Sequence, residues 1–242
     1  MRKAILPPRS VVMFIFVIVV LVNQAAASII IDFPFVGDGA RQGTVLNTTA
    51  AALHGPIKGV VFSTGATPYT LTSVKVPLAS DAGTGSFDIL LYAVDNFNTP
   101  TSLLTSQHII QNYSGDPFVQ FYTFNLTNNF ELSANTRYSL SIGHATVTSN
   151  YLEWKTPETY GSNPQGYGGV SYLTYNYSQN NGTTWTPYTN YGYELGGDGD
   201  WGYRNYIMIE GTAAAVPEPS TYALVCIGLV GLGYARKRMK KG

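Results

Sequence analysis

Apolar side chains recur at every second position through the central part of this 242-residue chain. The clearest runs lie at residues 74–76, 87–93, 122–126, 138–142 and 206–209. Because successive side chains of a strand point to opposite faces of a sheet, this alternation predicts half-buried β-strands. Clusters of turn-forming residues at 80–85 and 96–100 separate the runs and supply the turns that antiparallel strands require.

The fold class predicted from this pattern is all-β. We expect an antiparallel β-sandwich or jelly roll, flanked by an N-terminal signal helix and a C-terminal hydrophobic helix. A barrel or a propeller is the alternative architecture. A propeller requires repeated blades, and the sequence shows no repeat at the required period, so the sandwich is favoured.

Residues 1–27 have the composition of a secretory signal peptide. Three cations precede the apolar block 11–22, and the alanines that follow provide the small residues that signal peptidase recognises. Ala25 and Ala27 therefore mark the cleavage site, and Ser28 is predicted to be the first mature residue. An uncleaved anchor is the alternative, and the shortness of the apolar block argues against it. The sequence predicts export, with signal peptidase as a partner.

The chain ends in three segments of distinct composition. A Pro-rich stem at 213–221 leads into an uncharged apolar stretch at 222–235, and a basic tail at 236–242 follows. The apolar stretch is shorter than the roughly 20 residues that span a bilayer comfortably, so it predicts a marginal membrane segment. Pro217 and Pro219 disfavour helix and should keep the stem extended and accessible to proteases.

Cations at the far end of the apolar stretch predict its orientation. Arg236, Lys237 and Arg238 form a basic stop. Because basic flanks are retained on the cytoplasmic side, the body of the chain should lie across the membrane. An ordinary single-pass anchor behind a Pro-rich stem is the alternative interpretation.

The tail also carries a specific motif. Val216, Pro217, Glu218 and Pro219 are followed by Ser and Thr, by a glycine-containing apolar stretch and by the basic end. This tripartite tail resembles the PEP-CTERM sorting signal of Gram-negative bacteria that make extracellular polysaccharide. The resemblance implies that an exosortase, a membrane protease, recognises the tag and cuts near the Pro-Glu-Pro. The protein would be anchored transiently in the inner membrane and would then reside in the cell envelope or outside the cell.

The predicted ectodomain, residues 28–212, has a length that fits one domain with its own core. It contains six cations and thirteen carboxylates, a net charge of −7, which argues against nucleic acid or anionic lipid as a partner. The one cysteine of the chain, Cys226, lies in the apolar stretch, so the ectodomain has no disulfide and no thiol nucleophile.

Several stretches of the ectodomain resemble the choice-of-anchor domains, and their order is most like the R-type subgroup. The stretches lie at 64–74, 98–104 and 124–138, within a resemblance that covers roughly residues 57–211. The resemblance implies an exported, β-rich domain without an assigned activity.

Residues 178–185, Ser-Gln-Asn-Asn-Gly-Thr-Thr-Trp, are similar to the Asp-box pattern of sialidase propellers, with Asn180 in the Asp position. In that pattern the polar side chain bonds backbone groups of a hairpin turn, and the Trp packs under the loop. Asn satisfies the same turn geometry. Since one copy does not make a propeller, we predict a structural hairpin at this position.

Two carboxylates lie close together on a Gly-rich loop. Asp198 and Asp200 could supply hard oxygen ligands to Ca²⁺. The longer spacing of an EF-hand is missing, and Asx residues among glycines also form plain turns. No other cofactor is expected.

Aromatic residues concentrate in the second half of the ectodomain. All three Trp and eleven of the eighteen Tyr fall between positions 151 and 206. Tyr188, Tyr191, Tyr193 and Trp201 lie in a Gly/Asn-rich segment and are candidate glycan contacts, because such rings combine an apolar face with a polar group. The alternative is that these rings fill the core, and Trp154 is predicted to be a core residue.

Motifs of common hydrolases are missing. His54, His108 and His144 are widely separated and lack a partner motif. We therefore predict a non-enzymatic exported protein, an adhesion module or one associated with extracellular polysaccharide. The alternative is an extracellular glycan hydrolase, which needs two carboxylates facing each other at about 5–9 Å. A purely structural component of the extracellular matrix is a third interpretation.

Overall fold

The computed structural model describes residues 26–33, 43–45, 57–80, 83–113, 120–147, 152–155, 164–178, 180–187, 205–214, 226–231 and 236. Within this part of the chain the body consists of strands and connecting turns. In chain order the strands are β1 (Ser28–Asp32), β2 (Gly43–Val45), β3 (Ile57–Ser63), β4 (Tyr69–Ser80), β5 (Gly83–Val94), β6 (Pro100–Tyr113), β7 (Gln120–Asn125), β8 (Glu131–Leu132), β9 (Arg137–Val147), β10 (Leu152–Lys155), β11 (Gln165–Gly166), β12 (Ser171–Ser178), β13 (Thr186–Pro187) and β14 (Met208–Ala213).

The strands form two sheets whose described pairings are antiparallel. The first sheet has the order β11-β1-β14-β4-β10-β2, and β7 and β8 also pair with β4. The second sheet has the order β13-β12-β3-β9-β5-β6. The all-β prediction is therefore confirmed as two antiparallel sheets, and the strands are not arranged as repeated blades.

Residues of both sheets contribute to one buried core. On β5, Phe87, Ile89 and Leu91 belong to this core, as their period of two predicts. Trp154 of β10 is fully buried, and its Nε1 donates a hydrogen bond to the carbonyl of Tyr206 at 2.8 Å. The prediction that Trp154 is a core residue is confirmed.

A second, smaller apolar cluster lies outside this core. It contains Ile57, Leu90 and Tyr92, with Trp185 packed against them. The rings of Tyr92 and Trp185 meet edge to face with centroids 5.0 Å apart. Side chains on both faces of β3 are buried, which explains why Val60, Val61 and Phe62 are consecutive apolar residues on this strand instead of a strict alternation.

The first and last strands of the body lie side by side. Ser28 of β1 is opposite Gly211 of β14. The backbone N–H of Ala214 donates to the carbonyl of Pro68 at 2.9 Å, directly after β14 ends. The predicted mature N-terminus and the start of the predicted stem are therefore at the same end of the first sheet.

The predicted terminal helices lie mostly beyond the described residues. The N-terminal signal segment is outside them, and of the apolar stretch 222–235 the structure describes residues 226–231, which are helical and exposed. No helix found in the described segments has the length and apolar character required to cross a bilayer.

Candidate functional site

The predicted site residues fall on both sides of the boundary of the described structure. Ala27 is exposed just before β1, Ser28 is the exposed first residue of β1, and Arg236 is exposed with a helical backbone. The others lie outside the described residues; they are Ala25, Tyr188, Tyr191, Tyr193, Asp198, Asp200, Trp201, Val216, Pro217, Glu218, Pro219, Lys237 and Arg238. The glycan and calcium assignments of those residues stay predictions.

Strand β14 holds the base of the sorting segment. It lies between β1 and β4, so both of its edges are hydrogen-bonded within the first sheet. A strand in this position is among the most firmly held elements of a sheet, because its backbone groups are paired on both sides. The segment that follows Ala214 therefore starts from a fixed point on the body.

The turn at 178–185 has the hydrogen bonds of a structural hairpin. Ser178 Oγ accepts from the N–H of Gly182 at 2.8 Å, and Asn180 Oδ1 accepts from the N–H of Thr184 at 2.8 Å. Trp185 Nε1 donates to the carbonyl of Gly182 at 3.1 Å. Gly182 has φ of 81°, a left-handed conformation that glycine adopts without steric cost. The hairpin prediction is confirmed, because this turn connects the paired strands β12 and β13.

We expect Asn180→Ala to destabilise the protein by about 1 kcal/mol, because the Thr184 N–H loses its acceptor. Asn180→Asp is the matched control, because it keeps an acceptor oxygen at that position. It loses the hydrogen bond that the Asn180 amide nitrogen donates to Thr184 Oγ1, which is 2.9 Å long in the wild type. Urea unfolding of the full chain, followed by Trp fluorescence, measures both free energies. Equal losses of unfolding free energy in the two variants would show that the side-chain oxygen at position 180 does not stabilise the turn.

Two histidines converge on one carboxylate in the second sheet. Asp88 of β5 accepts at Oδ1 from His108 Nδ1 of β6 at 2.7 Å, and at Oδ2 from His144 Nδ1 of β9 at 2.9 Å. An ionised carboxylate only accepts, so both rings donate through Nδ1 and leave Nε2 for other partners. Burial, and then the charge of Asp88, raise the pKa of the neighbouring Tyr92. The cluster links three strands through one acceptor.

Sequence reasoning treated these histidines as isolated and missed the cluster. A usable signal was present, since Asp88 and His108 lie ten residues on either side of Asn98 in the predicted turn, and they are paired in the hairpin. His144 could not be placed in this way, because a β-bulge shifts the register between β5 and β9. Within the described ranges, no three His, Cys, Asp or Glu side chains are arranged to hold a metal ion.

A lysine lies in the interior beside an aromatic ring. Lys58 of β3 is completely buried, and its Nζ lies over the ring of Tyr175, 5.8 Å from the centroid. Burial lowers the pKa of Lys58 to about 7. The alternation along β3 places Lys58 on the same face as Val60 and Phe62, both core residues, so its burial also had a sequence signal.

Comparison with known proteins identifies the tail. Residues 215–238 match the PEP-CTERM protein-sorting motif. No curated protein and no solved structure shows significant similarity to the chain. The motif indicates an exported protein that exosortase sorts through a C-terminal membrane-anchored step, which confirms the sorting-signal prediction. The resemblance of the body to choice-of-anchor domains stays a prediction.

Proposed function

We propose that the two sheets form a β-sandwich ectodomain that serves as a non-catalytic adhesion module or one associated with extracellular polysaccharide. The observation that carries this proposal is the PEP-CTERM motif at residues 215–238, which assigns the chain to an export route. The signal peptide is removed first, the C-terminal segment holds the protein in the inner membrane, and exosortase then releases it to the cell envelope or the exterior.

The described body supports a binding module more than an enzyme. Its distinctive polar groups serve structural roles: the turn at 178–185 closes a hairpin, and the Asp88 cluster links three strands. The ectodomain sequence contains no cysteine, so no disulfide holds its strands together. The hydrogen bonds of the turn and of the Asp88 cluster therefore add to apolar burial in stabilising the sheets. A rigid scaffold of this kind suits the presentation of a binding segment.

The Tyr/Trp-rich segment 188–204 is the candidate binding segment. Its two ends are fixed by described structure: Pro187 belongs to β13, and Asn205 is buried, with its Nδ2 donating to the carbonyl of Trp154. We propose that Tyr188, Tyr191, Tyr193 and Trp201 on this segment contact sugar rings, because aromatic faces stack on the apolar faces of sugars.

Binding to extracellular polysaccharide tests the proposal. We expect the wild-type protein to be retained on immobilised polysaccharide from a producing strain, and the quadruple variant with serine at 188, 191, 193 and 201 to lose about tenfold in affinity, as expected for removing several aromatic contacts. Phe97→Ser is the matched control, because Phe97 is an aromatic residue that is 83 % exposed in the turn between β5 and β6, and this variant should bind as the wild type does. Equal retention of all three proteins, or no retention of the wild type, would refute the sugar assignment.

A further inference from the structure

Several loops and both chain ends of the described body meet at one end, which we call the stem end. It consists of residues 26–28, 64–68, 95–99, 133–136, 167–170 and 214. Hydrogen bonds connect its parts: Asn135 N–H donates to the Gly65 carbonyl at 2.7 Å, and Ala214 N–H donates to the Pro68 carbonyl at 2.9 Å. These bonds join residues 64–68, 133–136 and 214, and the sorting segment begins beside them.

Exposed apolar side chains concentrate at and beside the stem end. Tyr167 belongs to a loop that is fixed by the Tyr69 hydroxyl, which donates to the carbonyl of Gly168 at 2.6 Å. The large apolar residues exposed here are Ile29 (38 %), Phe97 (83 %), Leu103 (50 %), Leu104 (50 %) and Tyr167 (44 %). Phe97 and Tyr167 lie in loops of the stem end, and Ile29, Leu103 and Leu104 lie on the adjoining strands β1 and β6. Several exposed apolar side chains near one end of a body indicate a contact site more than single scattered ones do.

The turn that displays Phe97 is rigid. Asp95 Oδ1 accepts from the N–H of Phe97 at 2.8 Å and from the N–H of Thr99 at 2.9 Å. Arg137 Nη1 donates to a carbonyl of the turn at 2.6 Å, and Asn176 Nδ2 donates to another at 2.6 Å. Asp95 within the turn and side chains from the two strands β9 and β12 thus hold a turn whose most prominent side chain faces solvent. Little conformational entropy is therefore lost when Phe97 enters an apolar phase.

The length of the stem limits how far this surface can lie from the membrane. Seven residues, 215–221, connect Ala214 to the apolar stretch that starts at residue 222. A fully extended chain of this length spans roughly 25 Å at most. The stem end must therefore stay within that distance of the bilayer for as long as the apolar stretch is inserted.

We propose that the stem end docks on the lipid bilayer while the C-terminal segment is anchored, with Phe97 and Tyr167 entering the interfacial region. This inference rests on the membrane-anchored stage of the proposed function. Aromatic side chains favour the membrane–water interface, and exposed aliphatic residues beside them add apolar area. Docking holds the stem at the membrane surface, where an integral membrane protease acts.

Charge determines which lipid surface fits. Arg137, the first residue of β9 next to the stem end, donates to carbonyls of its own body. Asp95 accepts hydrogen bonds within its own turn, and Glu131 is exposed nearby. With an ectodomain net charge of −7, attraction to anionic lipid does not contribute. The contact is apolar, so a zwitterionic bilayer is the appropriate probe.

Lipid quenching of a site-specific fluorophore tests the docking. The full chain in phosphatidylcholine liposomes is labelled with bimane at its native Cys226, or, in a Cys226→Ser background, at Phe97→Cys or Ile110→Cys. The quencher is phosphatidylcholine brominated on its acyl chain. Ile110 is the matched control because it is 70 % exposed on the same strand, β6, that follows the Phe97 turn, but lies toward the opposite end.

We expect brominated lipid to lower emission about twofold at Cys226 and at position 97, and to leave position 110 unchanged, as interfacial insertion of the stem end requires. Quenching at Cys226 alone would overturn docking and leave anchoring intact. Absence of quenching at Cys226 would overturn the membrane-anchored stage, and docking with it. Quenching at both 97 and 110 would overturn the end-on orientation. A change in bimane emission at position 97 that depends on the protein-to-lipid ratio, and that occurs without brominated lipid, would assign the surface to a second copy of the chain instead.

Discussion

Deletion of residues 216–242 is expected to abolish sorting and leave the body folded. The motif at 215–238 is removed almost entirely, so exosortase has no substrate and the protein has no C-terminal membrane segment. The body should survive because β14 ends at Ala213 and the Ala214–Pro68 hydrogen bond precedes the cut. In native cells, fractionation and mass spectrometry of the C-terminus measure the outcome.

A second variant separates recognition from anchoring. Pro217→Ala combined with Pro219→Ala keeps the apolar stretch and the basic end, so we expect a protein that remains in the membrane with Gly242 at its terminus. The wild type should end near 217–219, because the prolines keep the stem extended for the protease. Unchanged location and processing after deletion of 216–242 would refute the assigned role of the tail, as would a mature wild type that ends at Gly242.

The alternating runs read from the sequence fall on five of the fourteen described strands, namely β4, β5, β7, β9 and β14. The period of two placed Phe87, Ile89 and Leu91 on the core face, and the Asn-rich turn after β5 was placed correctly. The hairpin at 178–185 was also predictable, because the hydrogen bonds that hold its turn join residues at most four positions apart. One example is the bond that the Thr184 N–H donates to Asn180 Oδ1. Patterns of this kind involve residues that are only a few positions apart in the chain, so the sequence alone reveals them.

Long-range pairing could not be predicted. Strand β14 lies between β1 and β4, which precede it in sequence by more than a hundred residues, and no local pattern specifies that position. The convergence of Ser28 and Ala214 on one surface follows from this pairing alone. The exposure of Phe97 depends on which neighbouring strands hold its turn, so the stem end could be recognised only in the fold.

The buried Lys58 should make stability depend on pH. Its pKa falls from 10.5 in the unfolded chain to about 7 in the folded protein because burial disfavours the charged form. Between these values the unfolded state binds more protons than the folded state, so stability rises as pH increases from 7 toward 10.5. Below about pH 7 both states are protonated, and the unfavourable contribution of Lys58 is constant.

Lys58→Met should therefore stabilise the protein at pH 7 by a few kcal/mol, at most roughly 4, because an apolar chain of similar length replaces a group whose charge is costly to bury. The free energy of unfolding of the full chain, measured in urea between pH 7 and 9.5, should lose its rise with pH. The upper limit avoids tyrosine ionisation, since burial raises the pKa of Tyr206 to about 12 and opposes the lysine effect above pH 10.

Lys75→Met is the matched control for this substitution. Lys75 on β4 also lies over an aromatic ring, with Nζ 5.3 Å from the centroid of Phe121, but it is only partly buried. Its replacement should keep the rise of stability with pH, because the cost of burying charge is concentrated at Lys58. If Lys58→Met and the wild type have parallel pH profiles, Lys58 is charged in the folded protein throughout this range, and its interior contacts compensate the cost of burial.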